Sequence, residues 1–293
     1  EAVDAPEVAS IDRGATPGSN PTSAGSVTFD VEFSQKVTGV AASDFTLSTT
    51  NTATTASGDS DISISGSDTT YTVTVTNISG DGDVTVDLVD DDSITGVAKG
   101  TELGGRNNIN NASGGDGSFS GGESFTIDNT DPGFANGNSA SVAEGTTGNV
   151  LDVEAGDDGT STPDAGVSYA LASNAGSDAA TFSIDTNNGQ ITLDSPKNFE
   201  SPADDDGGGD YELTVTATDD AGNATDQDIT VTITDAAPTQ PSDGDAAANQ
   251  VAEDAGNGAA VGVTAGTSDP GGGTVTYTLT DNAGGRFAID SNS

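Results

Sequence analysis

Five segments of this chain alternate apolar and polar side chains with a period of two: SVTFDVEF at 26–33, TYTVTVT at 70–76, DVTVDLV at 83–89, YELTVTAT at 211–218 and DITVTIT at 228–234. In an extended strand that period puts every second side chain on the same face. Each segment can therefore bury Val, Ile, Leu, Phe or Tyr on one side and wet Thr, Ser, Asp or Glu on the other. Helix formers such as lysine, glutamate and methionine are scarce and glycine occurs 40 times, so the chain is expected to be β-rich with many turns. Low hydrophobicity with high net charge also marks disordered chains, and the clean alternation argues against that for these segments. The first 20 residues lack it and read as a flexible N-terminal segment.

Six basic residues stand against 48 acidic ones, a net charge of −42. A surface of that sign repels nucleic acid and anionic membranes, which leaves cations, basic proteins and neutral sugars as partners. Adaptation to high salt explains part of the excess, because screening relieves the self-repulsion of a carboxylate surface. It does not explain why acids gather at particular corners, such as the eight within residues 198–223. Cysteine is absent, so no disulfide can staple the fold. No apolar run approaches the roughly 18 residues of a membrane span, and no hydrophobic signal core opens the sequence. If the protein is secreted, its signal has been removed or lies outside these residues.

The chain repeats itself. SVAEGTTGNVL (141–151) matches QVAEDAGNGAAV (250–261), VSYAL (167–171) matches VTYTL (275–279), and TFSIDTNNG (181–189) matches RFAIDSNS (286–293). The offsets are 109 residues from Glu144 to Glu253, 108 from Tyr169 to Tyr277 and 105 from Phe182 to Phe287, which defines a unit repeated at domain length. The second copy stops where the first continues into its last strands. Half a sandwich pairs its edges poorly, so the chain reads as a piece of a longer repeat protein. A different unit comes first and ends in ESFTIDNTDP (123–132), and the proline-bearing stretch ITDAAPTQPSDGD (233–245) reads as a semi-rigid spacer. The expected division is a flexible segment over 1–20, one β-sandwich over 21–132, a second over 133–238 and a partial copy over 239–293.

The ordered series AEG or AED, YxL, FxID, NFE, YELTVTATD and ITVTITD with a proline linker resembles the cadherin-like repeat domains of bacterial surface proteins, over residues 134–293. The segments SVTFDVEFSQKVTGVAASDFTL, TYTVTVTNISGDGDVTVDL and GGESFTIDNTDP resemble a bacterial immunoglobulin-like domain, the combination found in large surface adhesins. Both families are Greek-key β-sandwiches. The resemblance therefore implies an all-β fold of tandem sandwiches, the last incomplete.

Cadherin-type repeats hold calcium ions between successive domains. Carried over residue by residue, the resemblance implies a site made by Glu144, Asn198 and Glu200, Asp235 of the linker and Asp269 of TSDPGGG. The family usually has aspartate at the position of Asn198, and a second aspartate where Gly271 stands. The linker TDAAP lacks the family's usual acidic and amide residues. A second, composite site would draw on Asp128 and Asp131 of the preceding linker, Asp157 and Asp158 of the loop AGDDG, and Asp219 at the end of TVTATD. Calcium takes roughly six to eight oxygen ligands, which carboxylates on separate loops supply while the ion cancels their repulsion.

Each of these acids also reads as an ordinary solvated turn residue. DTNNG (185–189) has the Asp-x-Asn-x-Gly spacing of a calcium loop, but it lies between two strands without a downstream glutamate, which favours a hairpin turn. DDDGGGD (204–210) and SGDGD (79–83) read as mobile acidic loops. Tyr169, Tyr211, Tyr277, Phe182 and Phe287 fit strand patterns as core residues. Asn-x-Ser/Thr sequons stand at Asn77, Asn111 and Asn223.

With neither histidine nor cysteine, the common nucleophile and base pairs are missing, and no two carboxylates are marked out for glycoside hydrolysis. The expectation is a non-catalytic structural segment of a large secreted or cell-surface protein, a calcium-stiffened stalk, fibre or matrix element for adhesion or assembly. Its partners would be calcium ions, neighbouring repeats or copies of the same protein, and surface glycans or proteins. Two alternatives stay open: an accessory spacer or binding module of a secreted hydrolase, and a surface-layer or filament subunit.

Overall fold

A computed structural model of the protein describes residues 5–104, 117–157, 166–173 and 178–291. Among these residues every regular element is a β-strand or a single 3-10 turn, so the fold is all-β. The chain divides into two compact units, Glu1–Gly133 with Gly156–Val167 and Thr218–Thr225, and Phe134–Ala155 with Ser168–Ala217 and Asp226–Ser293.

In the first unit the long alternating segment forms the strand Ser26–Thr38. It pairs antiparallel with Ile62–Thr76, setting Val27 against Val75 and Phe29 against Val73. A second sheet orders Phe45–Thr49, Gly82–Leu88 and Phe125–Ile127, again antiparallel. The inner faces of both sheets are sealed: Val27, Phe29, Val31, Val84, Phe125 and Ile127 are at most 1% exposed. Burying one such side chain stabilises the fold by about 1.5–3 kcal/mol. Phe29 and Phe125, one from each sheet, meet edge to face with ring centroids 5.4 Å apart, an arrangement the ring quadrupoles favour.

Two expectations change in this unit. Residues 8–13, assigned to the flexible segment, form the strand Val8–Arg13, which pairs with the other edge of Ser26–Thr38 and buries Ile11 opposite Val31. The two apolar side chains of this strand that pack on the core, Val8 and Ile11, stand three residues apart across a register shift, so no period of two shows in sequence. The acidic corner SGDGD is held in place as well. Thr52 and Ala53 donate their N–H groups to the Asp81 carbonyl at 2.9 and 2.8 Å, and the Asp81 N–H donates to Thr52 Oγ1 at 2.9 Å. Gly80 completes the corner at φ +77°, where a β-carbon would come within 2.1 Å of the Thr52 carbonyl.

In the second unit Ser139–Ala143 lies parallel to Ala224–Thr234, with Ser139 opposite Thr230 and Ala143 opposite Thr234. Asp210–Thr218 and Ser168–Leu171 complete that sheet, and a smaller antiparallel one orders Gly148–Asp152, Gln190–Leu193 and Phe182–Ile184. DTNNG is the hairpin joining the last two: the Asp185 N–H donates to the Gln190 carbonyl at 3.0 Å, and Asp185 Oδ1 accepts the Asn187 N–H at 2.9 Å. Tyr169, Phe182 and Tyr211 are core residues, with the Phe182 and Tyr211 rings 6.0 Å apart.

The loop DDDGGGD is built rather than merely solvated. Asp204 is buried, and its Oδ2 accepts the N–H groups of Gly208 and Gly209 at 2.7 and 3.0 Å. Asp178, also buried, accepts the N–H groups of Asp205 and Glu212, each at 2.9 Å. Residues 239–291 hold one short antiparallel pair, Ser242–Asp243 with Ala265–Gly266. Tyr277 is half-buried there and Phe287 is 47% exposed. Neither is a core residue, because no strand in this stretch covers it as Tyr211 covers Phe182.

Candidate metal centres

Four carboxylates of the second unit converge. Glu144, Glu200, Asp235 and Asp269 each offer an oxygen, all within 4.8 Å of one another. Glu144 follows directly on the strand Ser139–Ala143, and its own N–H extends the parallel ladder to the Thr234 carbonyl at 3.0 Å. Its side chain is 1% exposed and clamps two other segments, Oε1 accepting the Ala236 N–H at 3.1 Å and Oε2 the Phe199 N–H at 3.0 Å. A carboxylate buried this deeply needs such partners, because desolvation disfavours its charge. Glu200 and Asp235 are exposed, and Asp269 is half-buried.

Asp269 organises its own loop, its Oδ1 accepting the N–H groups of Gly271 and Gly273 at 3.1 and 3.2 Å. The two glycines face the acidic group. A β-carbon on Gly271 would lie 1.5 Å from Glu144 Oε2, and one on Gly273 would lie 2.8 Å from Glu200 Oε1. Asn198 stands beside the four acids, its amide donating to the Gly271 carbonyl while its Oδ1 accepts the Ser201 N–H at 2.8 Å.

The electrostatics are unbalanced. The backbone N–H at Glu200 pulls its carboxyl down, but burial together with the charges of Glu144, Asp269 and Asp235 outweighs it, and the net shift is upward. Among the described residues the ion pairs are Arg13 with Glu123 and Lys36 with Asp68, and neither reaches this group.

In the first unit Asp128, Asp157 and Asp219 converge within the same 4.8 Å. Asp219 is buried, with Oδ1 accepting the N–H groups of Gly222 and Asn223 at 2.7 and 2.8 Å, and Oδ2 accepting the Asn223 amide at 2.9 Å. That amide also donates to the Asp128 carbonyl at 3.0 Å, so this sequon side chain is structural. Burial pushes the Asp128 carboxyl up against the pull of the Thr130 N–H, and the charges of Asp219 and Asp81 raise it further. Asp131 is exposed and outside this group. Asp158 and Asn111 lie outside the described residues. Asp81 sits next to the group, although the sequence marked it only as part of a loop.

Both groups offer only carboxylate, carbonyl and amide oxygens, the donor set of a hard divalent cation such as calcium. The space that absent β-carbons leave at Gly271 and Gly273 keeps the four acids of the second unit able to converge.

Residues 138–234 match the family model of the Cadherin domain. Glu144, Asn198, Glu200 and Asp219 fall inside the cadherin match, while Asp128, Asp235 and Asp269 fall outside it. No curated protein matches the chain. Among solved structures, Drosophila N-cadherin EC1-4 is 19% identical with a TM-score of 0.34, covering 99% of this chain and 65% of its own. The protocadherin gammaB7 EC3-6 cis-dimer is 19% identical with a TM-score of 0.32, covering 95% and 65%. Human CDH23 EC21-23 is 16% identical with a TM-score of 0.31, covering 82% and 79%. The chain thus spans about two thirds of the length of the first two. Among the described residues no helix is long and apolar enough to cross a membrane.

Proposed function

We propose that this chain is a non-catalytic structural segment of a secreted or cell-surface repeat protein, built of a first sandwich, a cadherin-like sandwich and a partial copy, and stiffened by calcium. The observation that carries the reading is the convergence of Glu144, Glu200, Asp235 and Asp269, four acids from distant parts of the chain, with no cationic side chain among the described residues paired to them. The cadherin match over residues 138–234 supports an extracellular adhesion or structural repeat module.

A calcium ion supplies positive charge and a demand for several oxygen ligands at once. The residues do the rest: Glu144 anchors the group from the core, Asp235 fixes the chain leaving Ala224–Thr234, and Glu200 and Asp269 close from two loops. Uncompensated, the same acids repel, and these segments part. Asp128, Asp157 and Asp219 act likewise in the first unit.

Thermal unfolding tests this in calcium, in chelator, and in chelator with sodium chloride at matched ionic strength. Binding to the folded state alone raises stability by RT ln(1 + [L]/Kd), so calcium is expected to raise the melting temperature beyond the sodium control. Equal melting in all three conditions would sink the reading and leave charge screening as the whole effect.

A further inference from the structure

The corner Gly80–Asp81, which no sequence motif marked as part of a site, touches the linker beside Asp128 at three points. Asp81 Oδ1 accepts the Asn129 N–H at 2.7 Å, Asp81 Oδ2 accepts the Thr130 hydroxyl at 3.1 Å, and the Gly80 carbonyl accepts the Asn129 side-chain amide at 2.7 Å. Thr130 also gives its backbone N–H to Asp128 Oδ1 at 3.0 Å. One neutral residue therefore joins two carboxylates, donating through its hydroxyl to Asp81 and through its backbone to Asp128. The corner is itself immobilised by Thr52, as described above.

We infer that Asp81 and Thr130 are positioning residues for the Asp128, Asp157 and Asp219 group: they fix the linker so that the Asp128 carboxylate faces the other two before a cation arrives. This rests on the calcium reading of that group. Three acids are few for a cation that prefers many ligands, so affinity at such a group depends on how little ordering is left to be done on binding. The Asp81–Thr130 contact does that ordering in advance, and the negative charge of Asp81 adds attraction without direct ligation.

The test uses the full chain with Glu200→Gln and Asp235→Asn, which silence the group in the second unit, so that calorimetry with calcium alone reports on the first. Thr130→Val removes the hydroxyl and keeps the shape, Thr130→Ser restores it, and Asp81→Ala removes the acceptor. Losing one charge-assisted bond is expected to weaken calcium binding roughly 5- to 10-fold in Thr130→Val, and losing two is expected to weaken it at least as much in Asp81→Ala, with Thr130→Ser close to the parent.

If Thr130→Val and Asp81→Ala melt lower in chelator yet bind calcium like the parent, their role is structural only and the inference is overturned. If Thr130→Ser is as weak as Thr130→Val, the hydroxyl is not responsible, which also overturns it. A parent that takes up no calcium overturns the reading of the group itself, an outcome distinct from the other two.

Discussion

Gly271 lies so close to Glu144 that a β-carbon on it would stand 1.5 Å from Oε2. The family resemblance places a second aspartate here, and the contact shows why this chain cannot accept one unless Glu144 or the loop moves. Gly271→Ala is expected to cost about 1–3 kcal/mol, the range for overpacking a fitted site, and to reduce the calcium-dependent rise in melting temperature. Gly271→Asp should do the same rather than strengthen binding. Calcium titrations followed by thermal unfolding decide it, and tighter binding in Gly271→Asp would contradict the geometry.

Charge should matter at Glu144 and not at Asp131. Glu144→Gln keeps an oxygen to accept one backbone N–H but removes a core carboxylate from the group, so calcium stabilisation of the second unit should fall. Asp131→Asn, at an exposed acid outside both groups, should leave the calcium titration unchanged. A large effect at Asp131 would redraw the first group.

The Phe29 and Phe125 rings fasten one sheet of the first unit to the other. Phe29→Ala is expected to cost about 3–5 kcal/mol, measured by denaturant unfolding. A double-mutant cycle with Phe125→Leu should show a coupling of about 0.5–1.5 kcal/mol, beyond what area alone predicts. Additive effects would mean that the ring geometry contributes nothing of its own.

Part of the acid sensitivity should trace to Asp61. The Asn77 side-chain amide and the Ser57 N–H hold its carboxyl below the usual 3.8. The folded state thus binds fewer protons than the unfolded one near that pH. The stabilisation is present above 3.8 and is lost as pH falls through the folded value. Asn77→Gly removes the amide without strain, since residue 77 sits at φ +57°, where glycine is at ease. The stability gap between the two proteins should be full at neutral pH and shrink in acid. A gap independent of pH would assign Asn77 a purely conformational role.

The strands with clean alternation were legible because period and face are the same thing: SVTFDVEF and YELTVTAT each bury the side chains their pattern singles out. Ile11 was not, since Val8 and Ile11 pack on the core three residues apart across a register shift and make no period of two. The acids divided differently. Glu144, Glu200, Asp235 and Asp269 were legible through motif order and do meet. Asp81 and Asp204 were hidden for different reasons: Asp204 folds back on the N–H groups of its own loop, Asp81 reaches a linker distant in sequence, and both look in sequence like any solvated turn acid. Tyr277 and Phe287 depart from their pattern for a third reason: it is that of core strands, but burial also needs a partner face, and residues 239–291 have only one short pair of strands.

The parallel pairing of Ser139–Ala143 with Ala224–Thr234 joins the first and last strands of that sheet's repeat side by side. The chain enters at one end of this pair and leaves at the other. Pulling the two ends apart would therefore drag the strands past each other along their length, straining every rung of the ladder together, rather than peeling the rungs one at a time. Resistance of that kind is set by the rate of forced unfolding and not by equilibrium stability. A protein of modest stability can hold under tension if its outermost strands are arranged this way.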